Sequence, residues 1–188
     1  MPRLSAFLSA LSLGLLLAAC GGRGWNAPDF TLHDDGGRAW TLSQQRGNVV
    51  LLTFGFTHCT DTCPATLAKL EHLTQGLGRQ SNQVEIAFVT VDPQRDTPAA
   101  MHRFLMRIAQ PGGGRLVGLT GSPFQIGAVE RAYHVWSQKI PGRHGYDDYD
   151  EAHTAVIYVI DAGGRIRGLH EDDDSEQSLQ AALRAVLG

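Results

Sequence analysis

The 188-residue sequence predicts one α/β domain, a sandwich in which a central mixed sheet is flanked by helices and an N-terminal β-hairpin comes first. Two observations lead to this fold class. Apolar, β-rich runs alternate with segments of helical spacing, and the chain then ends in a second hairpin and a terminal helix. The part of the chain beyond residue 19 is also long enough to form one domain with its own hydrophobic core.

The first residues have the pattern of a secretory signal, because Arg3 gives a positive start and residues 4–17 form an apolar stretch. This stretch is shorter than the ~20 residues that a membrane-spanning helix needs. The sequence Leu17-Ala18-Ala19-Cys20 resembles the bacterial lipoprotein cleavage box. We therefore expect a lipoprotein signal peptide over residues 1–19 and lipidation of Cys20. The lipid would anchor the protein to the cell membrane on its extracytoplasmic, periplasmic face.

Residues 20–27 are rich in glycine and are expected to form a flexible tether, so that the folded domain covers residues 28–188. The formal net charge of −3 suggests neither nucleic acid nor an acidic membrane as a partner. Of the three cysteines, Cys20 is assigned to the lipid, which leaves Cys59 and Cys63 as one pair in an oxidising compartment. A disulfide that closes so small a loop would stabilise little, so we interpret the pair as functional.

The predicted elements begin with two short strands, residues 30–32 and 39–42, around the turn Asp35-Gly36-Gly37. The apolar run at residues 49–56 is short and β-rich enough to be a strand buried on both faces. Leucines at helical spacing then predict a helix from the cysteines to about Gly78.

The second half of the chain continues the alternation. Thr97-Pro98 and Ser122-Pro123 each combine an N-cap residue with a first-turn proline, which predicts two helix starts. The polar segment 137–151 shows no clear pattern and is expected to be a loop over the site. The remaining predicted elements are strands at 84–91, 116–119, 154–160 and 165–169, of which the last two form a hairpin, and a final helix at 179–187 that follows Ser175 as a cap.

Cys59 and Cys63 lie where the 49–56 strand passes into the following helix. The dipole and the unpaired N–H groups of a helix start favour the thiolate, which is the form that binds metals and attacks disulfides. A spacing of four residues places the two Cβ atoms roughly 5–6 Å apart on one helical face. That gap suits a soft metal ion, whereas a disulfide needs Cβ atoms about 3.8 Å apart and a tighter loop. The spacing therefore leaves metal binding and redox chemistry both open.

A cysteine pair at a β-to-α junction suggests a thioredoxin-like fold. Two thiolates suit copper(I) or zinc, and an imidazole favours a site that also takes copper(II). His58 adjoins Cys59 and could face the site or pack beside Cys59, and packing is the favoured expectation. His153 directly precedes the strand at 154–160, at the mouth of the sheet, and spacing alone leaves it open between a structural role and a ligand role. The other histidines are expected on the surface: His33, His72, His102, His134, His144 and His170.

Three stretches of the chain resemble the Sco/SenC family, whose members are copper-binding, thioredoxin-fold proteins that help to assemble the dinuclear copper centre of cytochrome c oxidase. The stretches are FGFTHCTDTCP at 54–64, VDPQRDTP at 91–98 and HTAVIYVID at 153–161. The resemblance implies that Cys59, Cys63 and His153 are the copper ligands. Asp92, together with Asp61 between the cysteines, is a candidate for supporting the site or contacting the partner.

The resemblance implies a metallochaperone that carries copper, as Cu(I) or Cu(II), to the apo form of the copper-bearing oxidase subunit. A thiol reductant and another periplasmic copper carrier are further expected partners. Relatives often have Asp or Asn immediately before the histidine, where this chain has Ala152. Any group that orients His153 must therefore come from elsewhere in the fold.

The main alternative is a thiol–disulfide reductase that keeps the oxidase cysteines reduced, because this activity needs only Cys59 and Cys63. Thioredoxin-like reductases commonly have a cis-proline where this chain has Ala152, so the sequence favours metal binding. A peroxidase is a further alternative, since residues 27–32 also resemble peroxiredoxin starts, with Cys63 as the oxidised residue. A structural module in which the pair is only a disulfide is the last alternative, and nothing in the sequence favours it.

Overall fold

The computed structural model describes residues 24–142 and 145–188 of the chain. Its strands are β1 (Trp25–Asn26), β2 (Thr31–Asp34), β3 (Ala39–Thr41), β4 (Val49–Gly55), β5 (Val84–Thr90), β6 (Arg115–Thr120), β7 (Ser137–Gly142), β8 (Gly145–His153), β9 (Val156–Ile160) and β10 (Arg165–Glu171). Its helices are α1 (Thr62–Gln75), α2 (Pro98–Leu105), α3 (Pro123–Ala132) and α4 (Glu176–Leu187). The predicted signal peptide and the lipidated Cys20 lie outside the described residues.

One mixed sheet forms the centre of the domain, with the strand order β1-β10-β9-β4-β5-β6-β2-β3. Strands β4, β5 and β6 are parallel, whereas β9 runs antiparallel to β4. Every residue of β4 and β5 is buried, as expected for strands that are covered on both faces. Helix α1 packs against β5 and α4, and α2 packs against β6. The α/β prediction with a mixed central sheet and flanking helices is therefore confirmed.

The strand directions explain why distant residues meet at one edge of the sheet. Strands β4 and β5 are in register from Val49 opposite Val84 to Gly55 opposite Thr90, so their carboxyl ends lie side by side. Strand β9 runs the other way and pairs Ile157 with Thr53 of β4. The amino end of β9 therefore lies at the edge where β4 and β5 end. In open α/β sheets this edge is the usual position for a ligand site.

The predicted hairpins and the predicted N-caps agree with the structure. Strands β2 and β3 form the N-terminal hairpin, and β9 and β10 form the second hairpin. The Thr97 side chain accepts a hydrogen bond from the N–H of Ala100, and Ser175 accepts one from Ser178. Ser122 forms a complete capping box with Gln125. Each of these cap hydrogen bonds joins residues only three apart in sequence. Short sequence patterns are therefore enough to predict the caps.

The prediction of a loop over residues 137–151 is wrong. Residues 137–142 and 145–153 form a separate two-stranded antiparallel sheet, β7–β8, with Ser137 opposite His153. Most described residues of β7 are exposed. The hairpin therefore has no clear apolar alternation, which is the signal by which strands are recognised.

Two predicted boundaries also shift. Trp25 and Asn26 pair with Ile166 and Arg165 of β10, so regular structure begins inside the segment predicted as a tether. This pairing uses backbone groups, while both side chains are exposed. Helix α1 ends at Gln75, and the predicted cap Gly78 lies beyond it in a 3₁₀ turn with φ of 58°. In the described part of the chain, no helix is long and apolar enough to cross a lipid bilayer.

Candidate metal centre

The two cysteines lie at the start of α1, at the sheet edge described above. Cys63 is buried in the first helical turn, whereas Cys59 is half-buried in the preceding loop. Asp61 occupies the N-cap position, but its side chain makes no capping hydrogen bond. The N–H of Cys63 instead donates to Cys59 Sγ at 3.3 Å. The Cys59 sulfur thus takes the place of a capping oxygen and satisfies an N–H that the helix leaves free.

The two thiols have opposite pKa shifts. A hydrogen bond with the Cys63 thiol lowers the pKa of Cys59 to about 5, against the opposing effect of burial. The N–H groups of Cys63 and Asp61 and the charge of His153 lower it further. Donation to Cys59, together with burial, raises the pKa of Cys63 far above its usual range. At neutral pH the site therefore holds one thiolate, on Cys59, and one thiol that donates to it.

Alkylation of the reduced, metal-free protein is expected to modify Cys59 first. The reactive thiolate forms as the pH rises through the pKa of Cys59, about 5. The rate should therefore rise over roughly one pH unit on either side of that value and then become constant. Iodoacetamide labelling at a series of pH values, with the site read by mass spectrometry, measures this profile. In a Cys59→Ser control only the slow reaction of Cys63 should remain, and labelling of Cys63 before Cys59 in the unmodified chain would contradict the assignment.

Gly55 allows Cys63 to pack tightly against the end of β4. A Cβ atom on Gly55 would lie 2.7 Å from Cys63 Sγ and 2.6 Å from a ring carbon of Phe88. Any side chain there would push the sulfur away from the sheet. Sequence reasoning did not identify this role, although a glycine inside a strand pattern is a known sign of close approach.

His153 brings an imidazole to the cysteines from the end of β8. Its Nε2 lies 3.8 Å from Cys63 Sγ, although ninety residues separate the two in sequence. Its Nδ1 lies 3.1 Å from the backbone oxygen of Thr154. A carbonyl oxygen can only accept, so Nδ1 donates to it, and Nε2 is the ring nitrogen that faces the Cys63 thiol. The orienting group that Ala152 does not provide is therefore the Thr154 carbonyl, supported by the edge-on ring of Phe56 with centroids 6.0 Å apart.

The distance between nitrogen and sulfur fits a shared metal ion. An ion about 2.3 Å from the sulfur and about 2.0–2.1 Å from the nitrogen would separate these atoms by roughly 3.8 Å at a bond angle near 120°. The thiolate of Cys59 is the third donor of the set. Within residues 24–142 and 145–188, no three His, Cys, Asp or Glu side chains are already gathered closely enough to enclose an ion. Metal binding would therefore draw the donors together.

An open cleft of about 690 Å³ gives solvent access to this centre. Cys59 and His153 line it, and Asp61 is exposed at its edge. His58 also lines the cleft and is exposed, so the expectation that it packs beside Cys59 is wrong. The two donors that line the cleft, Cys59 and His153, are both partly exposed. The remaining histidines within the described residues are exposed, except for the partly buried His170, which contacts Asp174; His144 lies outside those residues.

Asp92 is fully buried behind the cleft and does not line it. Its carboxylate accepts hydrogen bonds from Arg95 and from the Tyr149 hydroxyl, the latter at 2.8 Å. The structure therefore places Asp92 beside two residues that line the cleft, and it places Asp61 at the cleft itself. The supporting roles of both carboxylates stay predictions.

Asp96 is a site residue that sequence reasoning missed. It is fully buried, and its carboxylate accepts hydrogen bonds from the N–H and hydroxyl of Thr57 at 3.0 and 2.6 Å. The Thr90 hydroxyl also donates to it at 2.6 Å, and burial raises its pKa. Asp96 thereby ties the loop that carries Cys59 to the end of β5. The sequence signal that could have identified Asp96 is its position in the stretch at 91–98, one of the three that resemble the Sco/SenC family.

Comparisons with known proteins agree with the fold. The family model described as SCO1/SenC matches residues 22–188. The mitochondrial SCO2 homolog of Bos taurus is 40% identical over 168 residues, which cover 85% of this chain but only 61% of that protein. The solved structure of Bradyrhizobium japonicum ScoI with copper bound is 34% identical, with a TM-score of 0.75 over 86% of this chain and 99% of that one. Apo Sco1 of Thermus thermophilus is also 34% identical, with a TM-score of 0.73 over 87% and 92%.

Proposed function

Because this chain belongs to the SCO1/SenC family, we propose that it is a copper metallochaperone that delivers copper to the dinuclear copper site of cytochrome c oxidase. The observation that carries the proposal is the approach of His153 Nε2 to within 3.8 Å of Cys63 Sγ, beside the Cys59 thiolate. Two sulfurs and one imidazole form a donor set that copper prefers. The copper-bound structure of the Bradyrhizobium japonicum relative supports copper as the cargo.

The geometry suggests an order for copper capture. The Cys59 thiolate is available at neutral pH and reaches the cleft, so it meets the incoming ion first. Binding to Cys63 then displaces a proton, because the raised pKa keeps this thiol protonated in the metal-free protein. His153 would bind through Nε2, the nitrogen that faces Cys63, while Nδ1 keeps its hydrogen bond to the Thr154 carbonyl. Acidification should weaken copper binding, because protons compete for all three donors.

The donor set would serve both oxidation states of copper. Two thiolates alone suit Cu(I), whereas Cu(II) gains from the imidazole. The open cleft above Cys59 would let donor atoms of the acceptor exchange with those of the chaperone. The apo copper-bearing subunit of the oxidase is the proposed acceptor, and a thiol reductant and a periplasmic copper carrier are further proposed partners.

A titration of copper into the reduced, metal-free protein tests the proposal. Cu(I) in competition with a chromogenic chelator should yield one bound ion per chain. Mixing the loaded protein with the apo copper domain of the oxidase subunit should then produce the absorption of the dinuclear centre. The absence of copper binding would contradict the metallochaperone assignment, and binding without any transfer would contradict the acceptor.

We also propose that residues 1–19 are removed and that Cys20 carries the lipid that holds the domain at the periplasmic face of the membrane. The support is the Leu17-Ala18-Ala19-Cys20 sequence. Membrane fractionation of cells that express the chain or its Cys20→Ala variant tests this anchoring. The variant should move to the soluble periplasmic fraction, and its retention in the membrane would contradict the anchor.

A thiol–disulfide reductase is the second candidate function, because the opposite pKa shifts of the cysteines suit that chemistry. The Cys59 thiolate would attack a substrate disulfide to form a mixed disulfide. Cys63 would then lose its proton and displace the second substrate thiol, leaving a Cys59–Cys63 disulfide. This reaction does not use His153. The buried, protonated state of Cys63 does not favour the peroxidase alternative, in which that residue is the one oxidised.

A further inference from the structure

Arg95 connects the loop after β5 to the β7–β8 hairpin. Its Nε donates to the buried Asp92 carboxylate, and its Nη1 donates to the backbone oxygen of Tyr149 at 2.8 Å. The guanidinium carbon also lies 3.6 Å from the centroid of the Tyr149 ring. Only 19% of the Arg95 side chain is exposed. A planar guanidinium can make these hydrogen bonds and the stacking contact at the same time, which a lysine ammonium cannot do.

Further contacts hold the hairpin to the same loop. The Tyr149 hydroxyl donates to Asp92 Oδ1 at 2.8 Å, so Asp92 binds both Arg95 and Tyr149. From β7, Lys139 Nζ donates to Gln94 Oε1 at 2.6 Å and lies 4.0 Å from the centroid of the Tyr149 ring. Each strand of the hairpin therefore has its own contact with residues 92–95. We refer to Asp92, Arg95 and Tyr149 together as the arginine clamp.

The clamp acts on the strand that carries His153. Tyr149 and His153 are four residues apart in β8, so they project from the same face of that strand. At the base of the hairpin, Trp136 and Thr154 exchange two hydrogen bonds, of 2.9 and 3.1 Å. The contacts at the base fix the position at which the hairpin leaves the domain, and the clamp restricts the orientation of the hairpin relative to the domain. His153 lies on β8 between these two sets of contacts.

We propose that Arg95 is a positioning residue for copper binding, which acts by clamping the β7–β8 hairpin so that His153 Nε2 stays within reach of the cysteines. This inference rests on the proposed copper-binding function. It gives the predicted supporting role of Asp92 a physical basis, since Asp92 anchors the clamp and touches neither sulfur nor imidazole. The effect should be specific to the histidine. Cu(II), which gains from the imidazole, should depend on the clamp more strongly than Cu(I).

Arg95→Lys and Tyr149→Phe test the clamp, because each removes clamp contacts and leaves every metal donor in place. We expect each variant to bind Cu(II) about tenfold more weakly, the lower end of what loss of an outer partner of a metal ligand costs. Cu(I) affinity should change less. Arg103→Lys, an exposed arginine on α2, is the matched control and should leave both affinities unchanged. In a His153→Ala background the Arg95→Lys effect on Cu(II) should disappear, because the clamp then has no imidazole to position.

A loss of Cu(II) affinity that persists undiminished in the His153→Ala background would overturn the proposal, and so would full Cu(II) affinity in both clamp variants. Amide hydrogen exchange of the metal-free protein provides a readout that needs no copper. The amides of β7 should exchange at least several-fold faster in Arg95→Lys than in Arg103→Lys, whereas those of β4 should not change. Unchanged exchange in β7 would also overturn the clamp. If the unmodified chain bound no copper, the metallochaperone proposal would fail, and exchange in β7 would still decide whether the clamp exists.

Discussion

Replacement of Cys63 by alanine is expected to weaken Cu(I) binding by more than about 100-fold, because loss of an outer partner alone typically costs 10–100-fold and this change removes a metal bond itself. The structure gives a second reason. Without the Cys63 thiol, Cys59 loses the hydrogen bond that contributes most to its low pKa. The remaining thiolate would then compete less well against protons. Competition between the protein and a chromogenic Cu(I) chelator at neutral pH measures the affinity.

Thr66→Ala is the matched control for this prediction. Thr66 is a small, buried side chain on the same helix, three residues after Cys63. Its replacement disturbs the packing of α1 to a similar extent but removes no metal donor, so Cu(I) affinity should stay within about threefold. Equal affinity losses in the two variants would mean that copper binding reports helix packing and not the sulfur.

Replacement of His153 by alanine should separate the two oxidation states of copper. Two thiolates still suit Cu(I), so we expect its affinity to fall by no more than about tenfold, whereas Cu(II) binding should weaken by more than about 100-fold. The absorption band from thiolate to Cu(II) and the nitrogen couplings in the electron paramagnetic resonance spectrum should both change. Parallel titrations with Cu(I) and Cu(II) give the two affinities.

His58→Ala is the control, because this exposed histidine lines the same cleft and adjoins Cys59. It should leave Cu(II) binding unchanged. If His58→Ala lost Cu(II) binding while His153→Ala kept it, the imidazole ligand would have been assigned to the wrong residue. His153→Ala should also retain disulfide reduction. A variant that lost both activities would contradict the separation between the metal site and the redox pair.

The cysteine side of the site could be predicted from the sequence because its signals are local. The apolar run that forms β4 and the helical spacing of the leucines in α1 place Cys59 and Cys63 at the junction between the two elements. Thr97, Ser122 and Ser175 were likewise predicted as caps, since their hydrogen bonds span only three residues. Patterns of this length are visible in a single chain.

The histidine side could be predicted only in part. Spacing left His153 open between two roles, because its position depends on β9 running antiparallel to β4 and on a hairpin whose strands are mostly polar. Arg95 and Tyr149 are fifty-four residues apart in sequence, and no local sequence pattern predicts their contact. Asp96 was missed for a similar reason, since its partner Thr57 lies thirty-nine residues away. Contacts between side chains that are this far apart in sequence depend on the topology of the folded chain, so no short stretch of sequence predicts them.

The hairpin contacts the domain at its base, at the arginine clamp and through Lys139, and bound copper would add a further attachment through His153. With copper bound, the protein would consequently be stiffer around the cleft than the metal-free protein. The stiffer region would include the surface near Trp136, whose side chain lines the cleft and is 56% exposed. An acceptor that docks on this surface would lose less entropy on meeting the loaded form. An acceptor would therefore bind the copper-loaded protein more tightly than the metal-free protein. Metal-free molecules would compete poorly for the acceptor.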